Sequence, residues 1–221
     1  MSTETVVAMI SPPDSERHAL PLERACAEFG IEQELEKVHF LGQCAHETGE
    51  FRRARESMNY TPEALLSVFR GRVTAEQAYR LGRTAGNPAQ QQAIANLVYG
   101  GRLGNTRDGD GWAFRGGGAI QLTGRYNYAQ CSRALFGDDR LERDPDMISD
   151  PEVAARAAGW FWSTNGLKEW ALKDNTIAVS RAINLGNPHS RAMPNGLQHR
   201  VDMTERVRRL FRELRGSRSR A

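Results

Sequence analysis

Apolar residues recur at steps of three and four through most of this chain, the spacing of amphipathic helices. Ala19, Leu22, Ala25, Cys26 and Phe29 share one face of a helix that Asp14 or Ser15 would cap and Gly30 would end. Pro12 and Pro13 break whatever precedes it. Leu35, Val38, Leu41, Cys44 and Ala45 mark the next helix, Leu35 to Glu47, with Gly49 placed as its C-cap. Thr61–Pro62–Glu63 reads as a helix start, Thr at the N-cap and Pro at the first helical position. Thr74 opens another helix, and Gly86–Asn87–Pro88 breaks it. The pattern resumes from Pro88 to Tyr99, from Gly124 to Leu135, from Val153 to Trp162 behind an Asp150–Pro151 cap, from Thr176 to Ile183, and from about Gln198 to Leu214. Between Gly100 and Gly118 periodicity stops. That glycine-rich stretch predicts a long structured loop or a short hairpin with Asp-Gly turns, followed by an extended run at Ala119–Leu122. The fold class is mostly α, with at most a small β-hairpin or sheet.

Composition narrows this picture. The chain has 221 residues, 39% hydrophobic and 26% charged, which suits one domain with two lobes. Residues 1–13 and 215–221 are expected to be flexible ends. The net charge of +3 gathers near the C-terminus, in RVRRLFRELRGSRSRA. Val207, Leu210, Phe211 and Leu214 form a stripe that docks on the body; the arginines from Arg206 to Arg215 read first as a solvated helix face leading into a disordered tail, and otherwise as a patch for polyanions, of which an anionic envelope is expected and nucleic acid is not. The three cysteines, Cys26, Cys44 and Cys131, are far apart and lack a C-x-x-C pair, which favours a reducing compartment. Val6–Ile10 is too short for a signal sequence, and no stretch has the length of a membrane span. The expectation is a monomer, made in the cytoplasm, without stable membrane insertion.

Charge placement supplies the candidate chemistry. Glu47 lies along the apolar edge of its helix, in the last turn. The negative end of the helix dipole and partial burial both raise the pKa of such a carboxyl, as a general acid near neutral pH requires. Glu56 follows nine residues later. Were the helix continuous, it would point the opposite way, about 13 Å further along the axis. A break at Gly49 lets it return across a cleft, and two carboxyls in different environments are the equipment of glycoside hydrolysis. Other chemistries fit less well. Gly116–Gly117–Gly118 lacks a phosphate-loop Lys, Asp108–Gly109–Asp110–Gly111 has no closing Glu, and His46–Glu47 is only half of H-E-x-x-H. No metal or other cofactor is predicted; a zinc amidase with distant ligands stays open.

Read together, four stretches resemble glycoside hydrolase family 19: the chitinases and, more closely, the small bacteriophage endolysins of that fold. They are AHETGEF (Ala45–Phe51), ESMNY (Glu56–Tyr60), GDGWAFRGGGAIQLTGRYNY (Gly109–Tyr128) and AINLGNP (Ala182–Pro188) followed by NGLQHR. IANLVYGGRLGN, Ile94 to Asn105, also fits. The resemblance implies an inverting mechanism, with carboxyls about 6.5–9.5 Å apart. In it Glu47 is the acid, Glu56 the base, and Thr123 the hydroxyl that helps hold the attacking water. It places Gln121, Tyr126, Asn127, Asn184 and Arg200 along the substrate, with Arg200 positioned to pair with Glu56. His46 would touch sugar or orient Glu47. Tyr60 and Trp112 join the substrate-binding set, Trp112 as a stacking surface. Plainer roles stay open: Thr123 as an N-cap, Tyr126 and Tyr128 as core, Trp112 as a packing anchor, Arg200 as an exposed helix charge. The R-G-G-G-A run has Gly117 where the family more often carries Arg.

The family's chemistry does not separate peptidoglycan from chitin; the lack of a signal sequence, the few cysteines, the absence of a chitin-binding module and the small size favour the endolysin, whose expected substrate is the glycan strand of peptidoglycan. The protein would be made in the host cytoplasm and act on the wall in the periplasm after release by another factor. A chitinase on N-acetylglucosamine polymers is the alternative, and a non-catalytic glycan-binding protein a second.

Overall fold

In the computed structural model, which describes residues 2–218, helix begins earlier than the periodicity indicates. Thr3–Ala8 forms α1, whose Thr5 N–H is received by the Ser2 hydroxyl. Val6 and Val7, with Ile10 just beyond, are fully buried. The N-terminal stretch expected to be flexible is therefore anchored: its short apolar run packs against α2, Glu16–Glu28. Periodicity could not register an element only six residues long.

α3 spans Glu34–Thr48 and stops at Gly49, which takes the left-handed conformation expected of a C-cap. Glu50 and Phe51 are also left-handed, with φ of 62° and 67°. Each such non-glycine residue costs on the order of 1–3 kcal/mol. Burial of Phe51 against the His18 ring, 5.4 Å between centroids, offsets this. So does Thr48, whose hydroxyl accepts the Phe51 N–H at 2.8 Å and donates to the Cys44 carbonyl at 2.7 Å. The helix is thus broken just after Glu47.

Two short helices follow, α4 (Pro62–Val68) under its Thr61 cap and α5 (Ala75–Leu81) under a reciprocal Thr74–Gln77 capping box. Then come α6 (Gln91–Tyr99) and α7 (Asp110–Ala113). The hairpin expected here does not form, because Gly109, at φ 85°, feeds the chain into α7. Nor is Ala119–Leu122 a strand: left-handed Gly118 and Gln121 curl it into a turn. Among the described residues the β pairing consists of isolated bridges from Gly117 to Arg55 and to Leu122. α8 (Arg125–Phe136), α9 (Arg140–Arg143), a 3₁₀ turn at Pro145–Ser149 and α10 (Pro151–Thr164) come next, with Asp150 capping α10 as expected. α11 (Leu167–Leu172), which the pattern missed, precedes α12 (Thr176–Leu185). α13 runs Leu197–Arg218, so residues 215–218, expected to be flexible, continue the helix; residues 1 and 219–221 lie outside the described residues.

The chain forms two compact units. One holds the residues up to Ala54, Gly118–Gln121 and the residues from Ile148 onward; the other holds Arg55–Gly117 and Leu122–Met147. In the first, α3 packs along α13 and α10 along α2. Phe40 meets the edge of Trp162 at 5.4 Å, and the Trp162 indole donates to the buried carboxylate of Glu36 at 3.0 Å. Gly42 permits the close approach of α3 to α13: a Cβ there would lie 2.7 Å from the Thr204 Cα. Gly42→Ala is expected to lower stability by about 1–3 kcal/mol, seen as a lower urea midpoint. An unchanged midpoint would mean the two helices are not held this tightly.

α13 also revises the basic stripe. Arg208 contacts Asp174 at 2.6 Å, and the same carboxylate lies 2.8 Å from the buried His39 ring. Arg208 is thus part of the packing, whereas Arg209 and Arg212 are exposed. The second unit is built on Met58, Leu65, Phe69, Val73, Ala78, Leu81, Ile94, Ala95 and Val98, with Tyr60, Tyr99 and Trp112 packed at its edge.

Candidate active site

Glu47 occupies the last turn of α3, its side chain 15% exposed. Burial raises its carboxyl above the ordinary range, and Arg200 draws it partly back. Arg200, in the first turn of α13, is buried; its guanidinium lies 2.7 Å from Glu47 Oε1. It also donates to Gln43 Oε1 at 2.7 Å and to the Asn195 carbonyl at 3.0 Å. Arg200 was expected to pair with Glu56; the partner seen within its own unit is Glu47, because α13 packs along α3 and brings the guanidinium there. The reading of Arg200 as an exposed helix charge also falls. Asn184, at the end of α12, joins the group by accepting the Asn195 N–H at 2.8 Å.

His46 stands beside Glu47, its Nδ1 2.8 Å from His199 Nδ1. One nitrogen must carry the proton that the other accepts. Burial, then the charges of Arg200 and His199, push His46 down to about 3 from an ordinary value of 6.5. Because the folded value lies below the unfolded one, the unfolded chain gains the proton first. His46 therefore withdraws stability as pH falls from about 6.5 toward 3. In an NMR titration its ring should stay neutral at pH 5; a midpoint near 6.5 would contradict this environment.

Glu56 lies in the other unit. Tyr99, the last residue of α6, donates its hydroxyl toward Oε1 at 2.9 Å and Oε2 at 3.0 Å. The Gly116 N–H donates to Oε2 at 3.2 Å, and the Glu56 N–H donates to the Gly116 carbonyl at 2.8 Å. Arg115 Nε reaches the Glu56 carbonyl at 3.3 Å, while its guanidinium covers the Trp112 ring 3.5 Å from the centroid. Trp112 thus packs on the core at one side and carries a cation over its ring. Tyr60 stacks edge-on against Phe69 at 5.4 Å, within the core edge.

Thr123 is half-buried, and its carbonyl accepts from Asn127 Nδ2 at 2.8 Å. It is not the cap of α8, whose N-cap position is Gly124. Tyr126 is 61% exposed, which excludes the core role; Tyr128 is fully buried and takes it. Gln121 sits in the turn of the first unit, its side-chain amide donating to the Gly118 carbonyl at 3.3 Å. The structure therefore gathers His46, Glu47, Asn184 and Arg200 in one unit, and Glu56, Tyr60, Trp112, Thr123, Tyr126 and Asn127 in the other. Sequence reasoning missed Gln43, Tyr99, Asn195 and His199. Tyr99 sat within IANLVYGGRLGN, but its position on the apolar face of α6 reads as core. Among the described residues no cluster of three or more His, Cys, Asp or Glu side chains is arranged to hold a metal ion.

Comparison with known proteins supplies the family. Residues 82–180 match the family model described as chitinase class I. A glycosyl hydrolase family 19 domain-containing protein of Haemophilus influenzae is 34% identical over 163 residues, covering 71% of this chain and 74% of that protein. The chain belongs to glycoside hydrolase family 19. It is accordingly a glycoside hydrolase, chitinase-like in type. Endochitinase CH25 of Brassica napus is 47% identical over 55 residues, 24% of this chain and 16% of the plant protein. The family 19 fold extends through the chain. A chitinase C structure aligns with a TM-score of 0.58 at 17% identity, covering 95% of this chain and 91% of that one. A bacterial family 19 chitinase aligns at 0.53 and 18%, covering 94% and 91%.

Proposed function

We propose that this family 19 hydrolase is an endolysin that cuts β-1,4 bonds of peptidoglycan glycan strands by inversion. Glu47 protonates the leaving oxygen and Glu56 activates the attacking water, which Thr123 helps hold. The observation that carries the mechanism is the contrast between the two carboxyls. Burial raises Glu47 toward the protonated form an acid needs. Glu56 accepts the Tyr99 hydroxyl and the Gly116 N–H, donors that favour the ionised form a base needs.

The peptidoglycan reading is supported by the endolysin-like motifs and by the small number of cysteines, all three buried, which suits synthesis in a reducing host cytoplasm. The exposed Arg209 and Arg212 suit an anionic envelope. We infer a monomer that reaches the wall after another factor releases it; among the described residues no helix is long and apolar enough to cross a membrane. The second reading, a chitinase on N-acetylglucosamine polymers, is favoured by the names of the aligned structures and plant relatives.

Parallel zymograms on bacterial sacculi and on glycol chitin separate the two. Clearing of sacculi at the lower enzyme dose is expected; clearing of glycol chitin alone would move the assignment to chitinase. Activity should persist in EDTA, and loss restored by zinc would instead indicate a metal amidase.

A further inference from the structure

The hydroxyl that reaches Glu56 stands on a built frame. Tyr99 ends α6 with its ring edge-on to Phe69, 6.3 Å between centroids. Its carbonyl is gripped by Asn105 Nδ2 at 3.0 Å. Asn105 is itself buried, and its Oδ1 accepts the Arg125 N–H at 2.8 Å. Its backbone closes the turn, accepting from Gly101 and donating to Arg102, both at 2.8 Å. Arg125 in turn clasps the buried Asp110 through Nε at 3.0 Å and Nη2 at 2.6 Å. The polar groups of Asn105 are thus spent on fixing the backbone of Tyr99 to the start of α8. A tyrosine whose ring belongs to the core could have been a phenylalanine; its oxygen is aimed at both carboxylate oxygens of Glu56.

We propose that Tyr99 is a positioning residue for hydrolysis, fixing the rotamer of Glu56 and favouring its ionised form, with Asn105 as the buried link that holds Tyr99 in place. The proposal rests on Glu56 being the base. Burial, reinforced by the charge of Glu56, keeps the phenol protonated and so a donor throughout the working pH range. Tyr60 and Arg72 also act on that phenol, and Arg115 reaches the Glu56 carbonyl. No proton leaves Tyr99 during the reaction. Its hydrogen bond strengthens the ionised carboxylate and resists rotation away from the water.

Tyr99→Phe retains the ring and removes the oxygen, so folding is preserved and the test isolates the bond. On soluble glycan fragments kcat should fall about 10- to 100-fold, the range of a hydrogen bond to a charged group, with KM within about twofold of wild type. The acid limb of the pH–kcat profile should move up by about one unit, because the lost bond favoured the ionised form. In a Glu56→Gln background, adding Tyr99→Phe should cause little further loss. A wild-type kcat and pH profile in Tyr99→Phe, with Glu56→Gln inactive, would overturn the positioning role and leave the base assignment standing. An active Glu56→Gln would overturn the base assignment itself. Equal losses in kcat and in thermal stability without a shifted limb would also sink the proposal, since they describe a structural tyrosine.

Discussion

Glu47→Gln and Glu56→Gln are each expected to fold as wild type and to lose about 10²–10⁴-fold in the rate of glycan cleavage. The two losses should have different origins. At Glu47 the amide keeps the size of a carboxyl and can still meet Arg200 through its oxygen, so the buried site stays filled; what disappears is the proton for the leaving group. At Glu56 the amide can accept the Tyr99 hydroxyl, but it cannot take a proton from water. Circular dichroism and a thermal melt check the fold, and reducing-end release from purified sacculi checks the rate. A variant that keeps more than about a tenth of the wild-type rate removes that residue from the pair, given the contribution expected of a positioned acid or base.

The second large effect falls on stability. Arg200 lies 1% exposed between Glu47, Gln43 and the Asn195 carbonyl. Arg200→Met leaves a buried carboxylate without its cation, and breaking a buried pair from one side costs about 3–5 kcal/mol. The carboxyl of Glu47 should then rise further, because burial acts on it unopposed. Its protonation recovers part of the loss, so Arg200→Met should be relatively more stable at acid pH than at neutral pH. This follows because a folded pKa above the unfolded one favours the folded state as pH falls. The double variant Glu47→Gln/Arg200→Met should regain stability over Arg200→Met alone at pH 7. Urea unfolding at pH 5 and pH 7 measures all of this, and a single variant as stable as wild type would deny the pair its structural role.

Much of the helical fold was legible because its signals are local. Thr61–Pro62, the Thr74 capping box, Asp150–Pro151 and Gly49 each fix an end through the backbone groups beside them. The failures share a different cause. α1 and α11 are six residues each, too short for a periodic pattern, and exist because neighbouring helices cover them. The turn at Ala119–Leu122 depends on Gln121 holding a left-handed conformation that no residue type announces.

The site divides in the same way. Of the two candidate carboxyls, Glu47 was marked by its place in the last turn of its helix, while Glu56 was singled out chiefly by the resemblance of the stretch that holds it. The partner of Arg200 was not marked, since it depends on which helix α13 packs against. Tyr99 was hidden for the opposite reason: its ring satisfies the helix pattern so well that the direction of its hydroxyl carries no sequence signal. His199 and Asn195 are likewise ordinary residues until α13 carries them to His46 and Asn184.

The most direct test of the two-carboxyl account is the anomer formed first. Purified sacculi, digested with enough enzyme to finish within minutes, can be followed by proton NMR before mutarotation mixes the two forms. If, as proposed, Glu56 activates water on the face opposite the leaving group that Glu47 protonates, a β bond must yield the α reducing end. The account predicts that the α-anomeric signal rises first and the β signal only afterwards. A β signal appearing first would mean retention through a covalent intermediate, and would contradict the roles given to Glu47 and Glu56.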